Sequence, residues 1–454
     1  MKALDLKTVA EWCGGTLEGD AGILIDNVSI DSRQINGTTL FFAIVGERFD
    51  AHGFIPDVEK NGAAAVVCHK KVECGIPVIY VEDTKKAFLE LAKNYRKSLP
   101  VTVIGLTGSV GKTTTKEMTY AVVSKKFNAI KTQGNLNNEI GLPRTLFTLD
   151  ETHNAAVIEM GMSAFGEISA LTKTALPDIG IITNIGVSHI EHLGSRDGIL
   201  KAKLEILDGM KKGSPLILNI DNDKLSEVKR DDYRIVGFGI DSKNADVRAE
   251  NIEEKESETR FDVLFDGKKQ SVTIPTVGIH NVYDALAAFT AGLELGIEPT
   301  LIAEALSEYE PSGMRQRIKK INGITVIEDC YNASPDSQRA AINALKSVSA
   351  ERTIAVLGDM LELGDYSDTA HREIGIYAAD KKVDLLFTYG TEAQKICSEA
   401  ADRGVKAKAF TDKAELFNSL KETLKKGDAV LFKASRGMKL EEVIEMLYKE
   451  WNNK

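Results

Sequence analysis

The residues most able to do chemistry lie in GLTGSVGKTTTKEM, 105–118. Gly105, Gly108 and Gly111 precede Lys112 and Thr113 at a spacing that lets a backbone curl, with its N–H groups turned toward a phosphate chain. The helix expected to start there would add the positive end of its dipole. Lys112 would neutralise the β and γ phosphates, and the Thr113 hydroxyl would reach a magnesium ion. The glycines run G-x-x-G-x-x-G-K-T rather than GxxxxGK[ST]. No NKxD box for guanine appears, so the nucleotide read from the sequence is ATP.

Further candidates end other apolar runs. Glu159 closes AAVIEMG, 155–161. A carboxylate there is costly to bury without a cation, and ligands of an open parallel sheet gather at the carboxyl ends of its strands. Glu159 is therefore a candidate Mg²⁺ ligand. DIGIITNIGVSHIEHLGS, 178–195, repeats the pattern, with Asn184 ending the strand and His189 and His192 in the loop. His189 is a second candidate metal ligand. In KAKLEIL, 201–207, spacing alone describes a solvated charged face. Later in the chain, Asn332, Asp336 and Ser337 follow a strand, but Ser334-Pro335 also reads as a helix N-cap. Ser435 and Arg436 follow another strand, where Arg436 could grip a carboxylate with a bidentate fork. Asp359 and Glu362, in the GDMLELG loop, are placed to orient an amine.

These residues need strands ending side by side, and the chain supplies them in three segments. Residues 1–99 read as a small α/β unit with strands TLFFAI (39–44) and AAAVV (63–67) and a helix over 85–99. Residues 100–312 alternate strands VTVIGLTG, AAVIEMG, DIGIITNI, PLILNI and YRIVGFG with helices, which predicts a mostly parallel P-loop-type sheet. A charged, β-like stretch at 244–276 reads as a hairpin turning at Asp266–Lys268, and a helix follows over 281–295. PSGMR, 311–315, reads as a hinge. Residues 313–454 alternate again (ITVIED, TIAVLG, DLLFTY, AVLFKA), a doubly wound Rossmann-like domain. The fold class is α/β.

Composition narrows the function. The 454 residues carry 57 Lys and Arg against 67 Asp and Glu, a net charge of −10. That surface repels nucleic acid. No apolar run nears the roughly 20 residues of a membrane span, and the first residues lack a secretory pattern, so a cytoplasmic protein is expected. Cys13, Cys68, Cys74, Cys330 and Cys397 are too scattered for a disulfide framework or a zinc site.

Taken together, the motifs resemble the Mur ligase family. The match includes DSRQINGTTLFFAIVGERFDAHGF, TGSVGKTTTKEM, QGNLNNEIGLP, TNIGVSHIEHLGS, AKLEIL, GIHNVYDALAA, EDCYNASPDSQRAA, GDMLELGDYSDTAHREIG and KASRGMK, nearly the whole chain. YNASPDS and GDMLELG point to the dipeptide-adding branch. The resemblance implies an ATP-dependent ligase that joins D-alanyl-D-alanine to UDP-N-acetylmuramoyl-tripeptide, a peptidoglycan precursor. It implies two Mg²⁺ ions held by Thr113, Glu159, His189 and a carbamylated lysine at Lys203. ATP would lie on Gly108, Ser109, Val110, Gly111, Lys112, Thr113 and Thr114, with Asn281 at adenine, Arg315 at the phosphates and Asp329 at ribose. Ser32 and Arg33 would hold UDP, and Asn137 and Asn138 the sugar-peptide. Lys112, Glu159, His189, Lys203 and Arg315 form the implied catalytic set. Two positions depart from the family pattern. Asp284 stands where an asparagine is usual, and Val187 replaces an acidic residue. Nothing requires more than a monomer. A folylpolyglutamate- or cyanophycin-type ligase, or an ATP-binding switch without ligase activity, remains as an alternative.

Overall fold

In the computed structural model, residues 1–46, 49–255, 257–310 and 315–452 are described. The expected hinge residues 311–314 lie outside them. Among the described residues, three large sheets of five, nine and six strands, with a two-stranded ribbon of Leu4–Asp5 and Leu24–Ile25 beside the first, mark three α/β domains.

The N-terminal sheet orders its strands Thr16–Glu18, Val78–Tyr80, Ala65–Cys68, Thr39–Phe42 and Asn27–Ser29. All its pairings are parallel except that of Thr16–Glu18. Helix Thr84–Lys97 starts where Asp83 accepts from the backbone N–H groups of Lys85 and Lys86 at 2.8 and 3.0 Å, which satisfies two otherwise orphaned donors. Its apolar stripe, Phe88, Leu91, Ala92 and Tyr95, is fully buried. The same helix is fastened to the next domain: Tyr95 donates to Leu149 O at 2.6 Å, and Arg96 donates to Ala175 O and Asp178 Oδ2 at 2.9 and 3.0 Å. One continuous apolar cluster runs from Leu6 and Phe42 through Phe88 to Ile158, Ile182 and Leu218. The first two domains thus share a core.

The central sheet has nine strands. Strand β1 (Thr102–Thr107) lies between β2 (Ala155–Glu159) and β3 (Ile179–Ile182), all parallel. Pro215–Asn219 and Arg234–Gly239 extend the parallel run beyond β3. The stretch read as a hairpin is larger than one. Val247–Glu254, Thr259–Phe265 and Lys268–Ile274 form a three-stranded antiparallel meander that continues the sheet. The expected turn is there, with Asp266 and Gly267 at φ 46° and 68°, the left-handed pair a tight hairpin needs. Helices α1 (Lys112–Ser124) and α2 (Ile279–Glu294) cover one face.

The C-terminal sheet orders Arg317–Ile321, β4 (Ile324–Glu328), β6 (Asp428–Lys433), β5 (Arg352–Gly358), Leu385–Tyr389 and Lys406–Phe410. Only the first edge pairing is antiparallel. This domain has its own two cores on the two faces of the sheet. Three edge strands, Ala129–Lys131, Arg317–Ile321 and Lys406–Phe410, escape sequence reading. They are short or lysine-rich, as exposed edges often are.

Candidate active site

Strand β1 delivers the glycine loop, and each glycine has a neighbour that forbids a side chain. A Cβ on Gly108 would lie 1.8 Å from Thr183 Oγ1. Gly111 caps α1 at φ 83°, and a Cβ there would lie 2.4 Å from Asp284 Oδ1. Asn184, at the end of the next strand over, holds the loop open by accepting from the backbone N–H groups of Ser109 and Val110 at 3.0 and 2.9 Å. Ser109 Oγ accepts from Gly186 N at 2.9 Å. Lys112 folds back, its Nζ donating to Gly108 O at 2.8 Å. Burial pushes this ammonium down, Glu159 opposes that, and Arg315 reinforces it. Ser109, Val110, Gly111, Lys112 and Thr114 line the cleft above the loop.

Glu159 is 2% exposed at the end of β2. Three neighbours compensate it. Thr113 Oγ1 donates to its Oε2 at 3.0 Å, Asn137 Nδ2 donates to its Oε1 at 2.8 Å, and Lys116 Nζ lies 3.7 Å away. Lys116 is itself wholly buried, 3.2 Å from Glu117. Glu117 in turn pairs with Lys131. Sequence spacing did not single out this chain of alternating charges. Asn138 also lines the cleft, but its Oδ1 accepts from Ile140 and Gly141 N, so that atom caps the helix that follows.

The solvated face expected at 201–207 is corrected. Lys203 is 1% exposed, and burial, then the Lys112 charge, pushes its amine well below its ordinary range. Glu205 accepts from Gly166 and Ser169 N, an anionic cap on helix Glu167–Ala175. Lys201 alone stays exposed, over the Phe165 ring. His189 lines the cleft at φ 62°. Its Nδ1 is 2.6 Å from Glu362 Oε2, across the domain boundary, and the ring holds the Glu362 carboxyl below its usual range. Among the described residues no three His, Cys, Asp or Glu side chains form a ready cage for a metal.

The C-terminal domain closes the other side. Asp329 ends β4 and pairs with the buried Lys433, whose Nζ donates to Asp329 Oδ2 at 2.7 Å and Asn332 O at 3.0 Å. Asn332 Oδ1 accepts from Ala333 N. Ser334 and Ser337 form the expected cap, with Pro335 starting the helix. Asp336, on the first turn, faces the loop after β3; a Cβ on Gly186 would lie 2.3 Å from its Oδ2. Burial raises the Asp336 carboxyl. The Arg315 guanidinium stacks over Tyr331 at 4.3 Å. Asn281 Nδ2 donates to Val277 O and to Gln316 Oε1 at 2.7 and 2.9 Å, joining α2 to the strand that opens the last domain.

These groups surround one cleft of about 550 Å³ between the central and C-terminal domains, the scale of a small-molecule site. Glu159, His189, Asn281, Arg315, Asp329, Asn332 and Asp336 all reach its wall. Gly108, Thr113 and Lys203 are not on that wall, and other expected residues stand apart from it. Ser435 is buried, accepting from Leu361 N, and Arg436 pairs with Glu441 at 2.7 Å. Ser32 and Arg33 lie in the N-terminal domain, where Arg33 forks onto Asp31 with two 2.8 Å bonds. Asp359 is architectural: its Oδ1 accepts from Ala393 N. Sequence reasoning missed Lys433, Gln316, Tyr331 and His280 at the wall. Lys433 could have been found, as a lysine inside an otherwise apolar strand.

Comparison with known proteins agrees with this geometry. The family models described as Mur ligase family, catalytic domain, as Mur ligase middle domain and as Mur ligase, glutamate ligase domain match residues 24–103, 106–292 and 314–436. The UDP-N-acetylmuramoyl-tripeptide–D-alanyl-D-alanine ligase of Bacillus subtilis is 42% identical over 451 residues, covering 97% of this chain and 98% of that one. A crystal structure of MurF from Acinetobacter baumannii superposes with a TM-score of 0.92 at 31% identity, covering 99% of both chains. MurF from Thermotoga maritima in complex with ADP superposes at 0.85 with 28% identity, covering 94% of this chain and 98% of that one. The chain belongs to the Mur ligase family.

Proposed function

We propose that this protein joins D-alanyl-D-alanine to UDP-N-acetylmuramoyl-tripeptide, converting ATP to ADP and phosphate and yielding the UDP-pentapeptide precursor of peptidoglycan. The carrying observation is the interdomain cleft, which sets the glycine loop and Lys112 opposite Asp329, Lys433 and Asp336. The whole-chain likeness to ligases of that name supports the substrates. In this reading residues 1–99 bind the UDP end through Ser32 and Arg33, 100–312 bind ATP, and 313–454 present the dipeptide. Asn137 and Asn138 meet the sugar-peptide, Asn332 and Asp336 serve the C-terminal substrate side, and Ser435 and Arg436 border it from the loop after β6, where Ser435 holds Leu361 N and Arg436 is paired with Glu441 until substrate binds. The protein acts as a cytoplasmic monomer. No helix among the described residues is long and apolar enough to cross a membrane.

The residues fit Mg²⁺. Thr113 and Glu159 present a hydroxyl and a carboxylate oxygen 3.0 Å apart beside the glycine loop, the hard-oxygen donors that ion prefers alongside substrate phosphates. Thr113, Glu159, His189 and Lys203 would hold two ions. Lys203 would do so as a carbamate, since only a neutral amine takes up carbon dioxide and burial, with the Lys112 charge, favours the neutral form of this one. The bound metal supplies charge neutralisation between the substrate carboxylate and the γ-phosphate.

The chain's own side chains then set the order of events. Loop N–H groups and Lys112 bind the phosphates, and Arg315 adds a second positive charge. The tripeptide carboxylate oxygen attacks the γ-phosphorus, the bond to ADP breaks, and an acyl phosphate forms. The dipeptide amine attacks the acyl carbon, loses its proton, and expels phosphate. Closure of the cleft keeps water from intercepting the acyl phosphate.

Phosphate release tests this. With Mg²⁺ and ATP, the two substrates are added singly and together. Release only with both, with a pentapeptide of the correct mass, is expected. Turnover with a different acid–amine pair would overturn the substrates. Release without any acceptor, or none with any pair, would overturn the ligase reading in favour of a nucleotide switch.

A further inference from the structure

The first two domains share a core, whereas the C-terminal domain is packed around cores of its own. Its position over the glycine loop therefore depends on a few local contacts. One of them involves a group the mechanism uses. The loop after β5 carries Glu362 to within 2.6 Å of His189 Nδ1. Both residues adopt left-handed backbone conformations, with φ 62° at His189 and 63° at Glu362. Neither is glycine, so each conformation is strained and persists only where surroundings enforce it. Close packing around the pair does so. Gly364, at φ 50°, sits so near Glu191 that a Cβ would lie 3.0 Å from Glu191 Cγ. Val187 packs against the C-terminal core. The Glu362 side chain is nonetheless 53% exposed, so its aim at His189 is not imposed by burial.

From this geometry we infer that Glu362 is a positioning residue: it latches the C-terminal domain to the central domain by fixing the His189 ring. The Glu362 carboxylate, 2.6 Å from Nδ1, occupies that side of the ring by close charge contact rather than by an aligned hydrogen bond, so the orientation of His189 depends on the domain that presents the dipeptide. The open domain arrangement would then lack a correctly turned His189, and acyl phosphate would form only with the amine's domain in place. This step rests on the ligase reading, whereas the contact itself does not.

Amide hydrogen exchange on the full chain without ligands tests the contact. E362A is expected to speed exchange over 186–195 and 360–366 relative to the rest of the chain, and E362Q, which keeps an oxygen within the same reach of Nδ1, to restore protection. In turnover, E362A is expected to lose about 10-fold in kcat or more with the KM for ATP unchanged, and E362Q to recover most of the loss. Unchanged exchange in E362A overturns the latch, as does faster exchange with unchanged kcat. A wild-type chain that turns over no acid–amine pair would fail the ligase reading instead, and the exchange contrast would then decide the latch.

Discussion

Replacing Asp284 with asparagine should make the protein more stable at neutral pH, and the size of the gain can be worked out. Asp284 lies on α2 directly under the glycine loop, 6% exposed, with Thr115 Oγ1 donating to its Oδ1 at 2.8 Å. Burial raises its carboxyl from 3.8 to about 7, against smaller lowering by Thr115 and Arg315. The nearby Tyr309 phenol is pushed up by its own burial and by Asp284. The folded state therefore holds this proton more tightly than the unfolded chain does. Below pH 3.8 both states are protonated and the group contributes nothing. Between 3.8 and about 7 the unfolded chain releases the proton first, so stability falls as pH rises, and above 7 the loss is complete.

At about 1.4 kcal/mol per pH unit, the full loss is about 4 kcal/mol, of which about 2.5 kcal/mol falls between pH 5 and 8. Asparagine keeps an oxygen for Thr115 and has no proton to lose. D284N should therefore gain about 2.5 kcal/mol on the wild type across that interval. For a transition of the two domains that share a core, about 310 residues, this corresponds to about 4 °C. Calorimetric scans of nucleotide-free wild type and D284N from pH 5 to pH 8 measure it. Parallel melting curves across that range would refute the reasoning, because they would mean that Asp284 is already ionised at pH 5.

Two further substitutions test the site. G108A should abolish nucleotide binding with little change in the C-terminal domain, because its Cβ would meet Thr183 Oγ1 at 1.8 Å and force the loop to move; titration with ADP by calorimetry should show at least about a 100-fold loss, and retained affinity would mean that Thr183 yields. K203A should lose turnover and regain part of it with a small carboxylic acid, and ¹³C-bicarbonate should give a carbamate signal in the wild type that is missing from the variant; full activity in unrescued K203A removes the carbamate role.

How far the site could be read from sequence depended on whether its chemistry lay along the chain or across it. The glycine loop was legible because its function is a local backbone shape, written in consecutive residues. Glu159 was legible because a carboxyl group ends an apolar strand. Lys203 was not legible by spacing, since KAKLEIL has the pattern of a wet helix face; only resemblance pointed to it. Helix Arg196–Leu204 buries Ile199 and Ala202 in the shared core, so Lys203 turns inward beside them and Lys201 outward. The Lys116–Glu117–Lys131 chain behind Glu159 was hidden for the same reason: its partners come from a helix, a strand end and an edge strand too short to read. Asp284 is the intermediate case. Resemblance to the family, not spacing, marked it as a departure from an asparagine, but a departure has no sign until its surroundings are known. Here they bury the carboxyl among Thr115, Tyr309 and Arg315 and hold it largely protonated below pH 7. A protonated aspartate is close to asparagine in shape and charge, which explains how this chain accommodates the change. It also makes the asparagine substitution the sharpest test of whether burial governs the base of the nucleotide site.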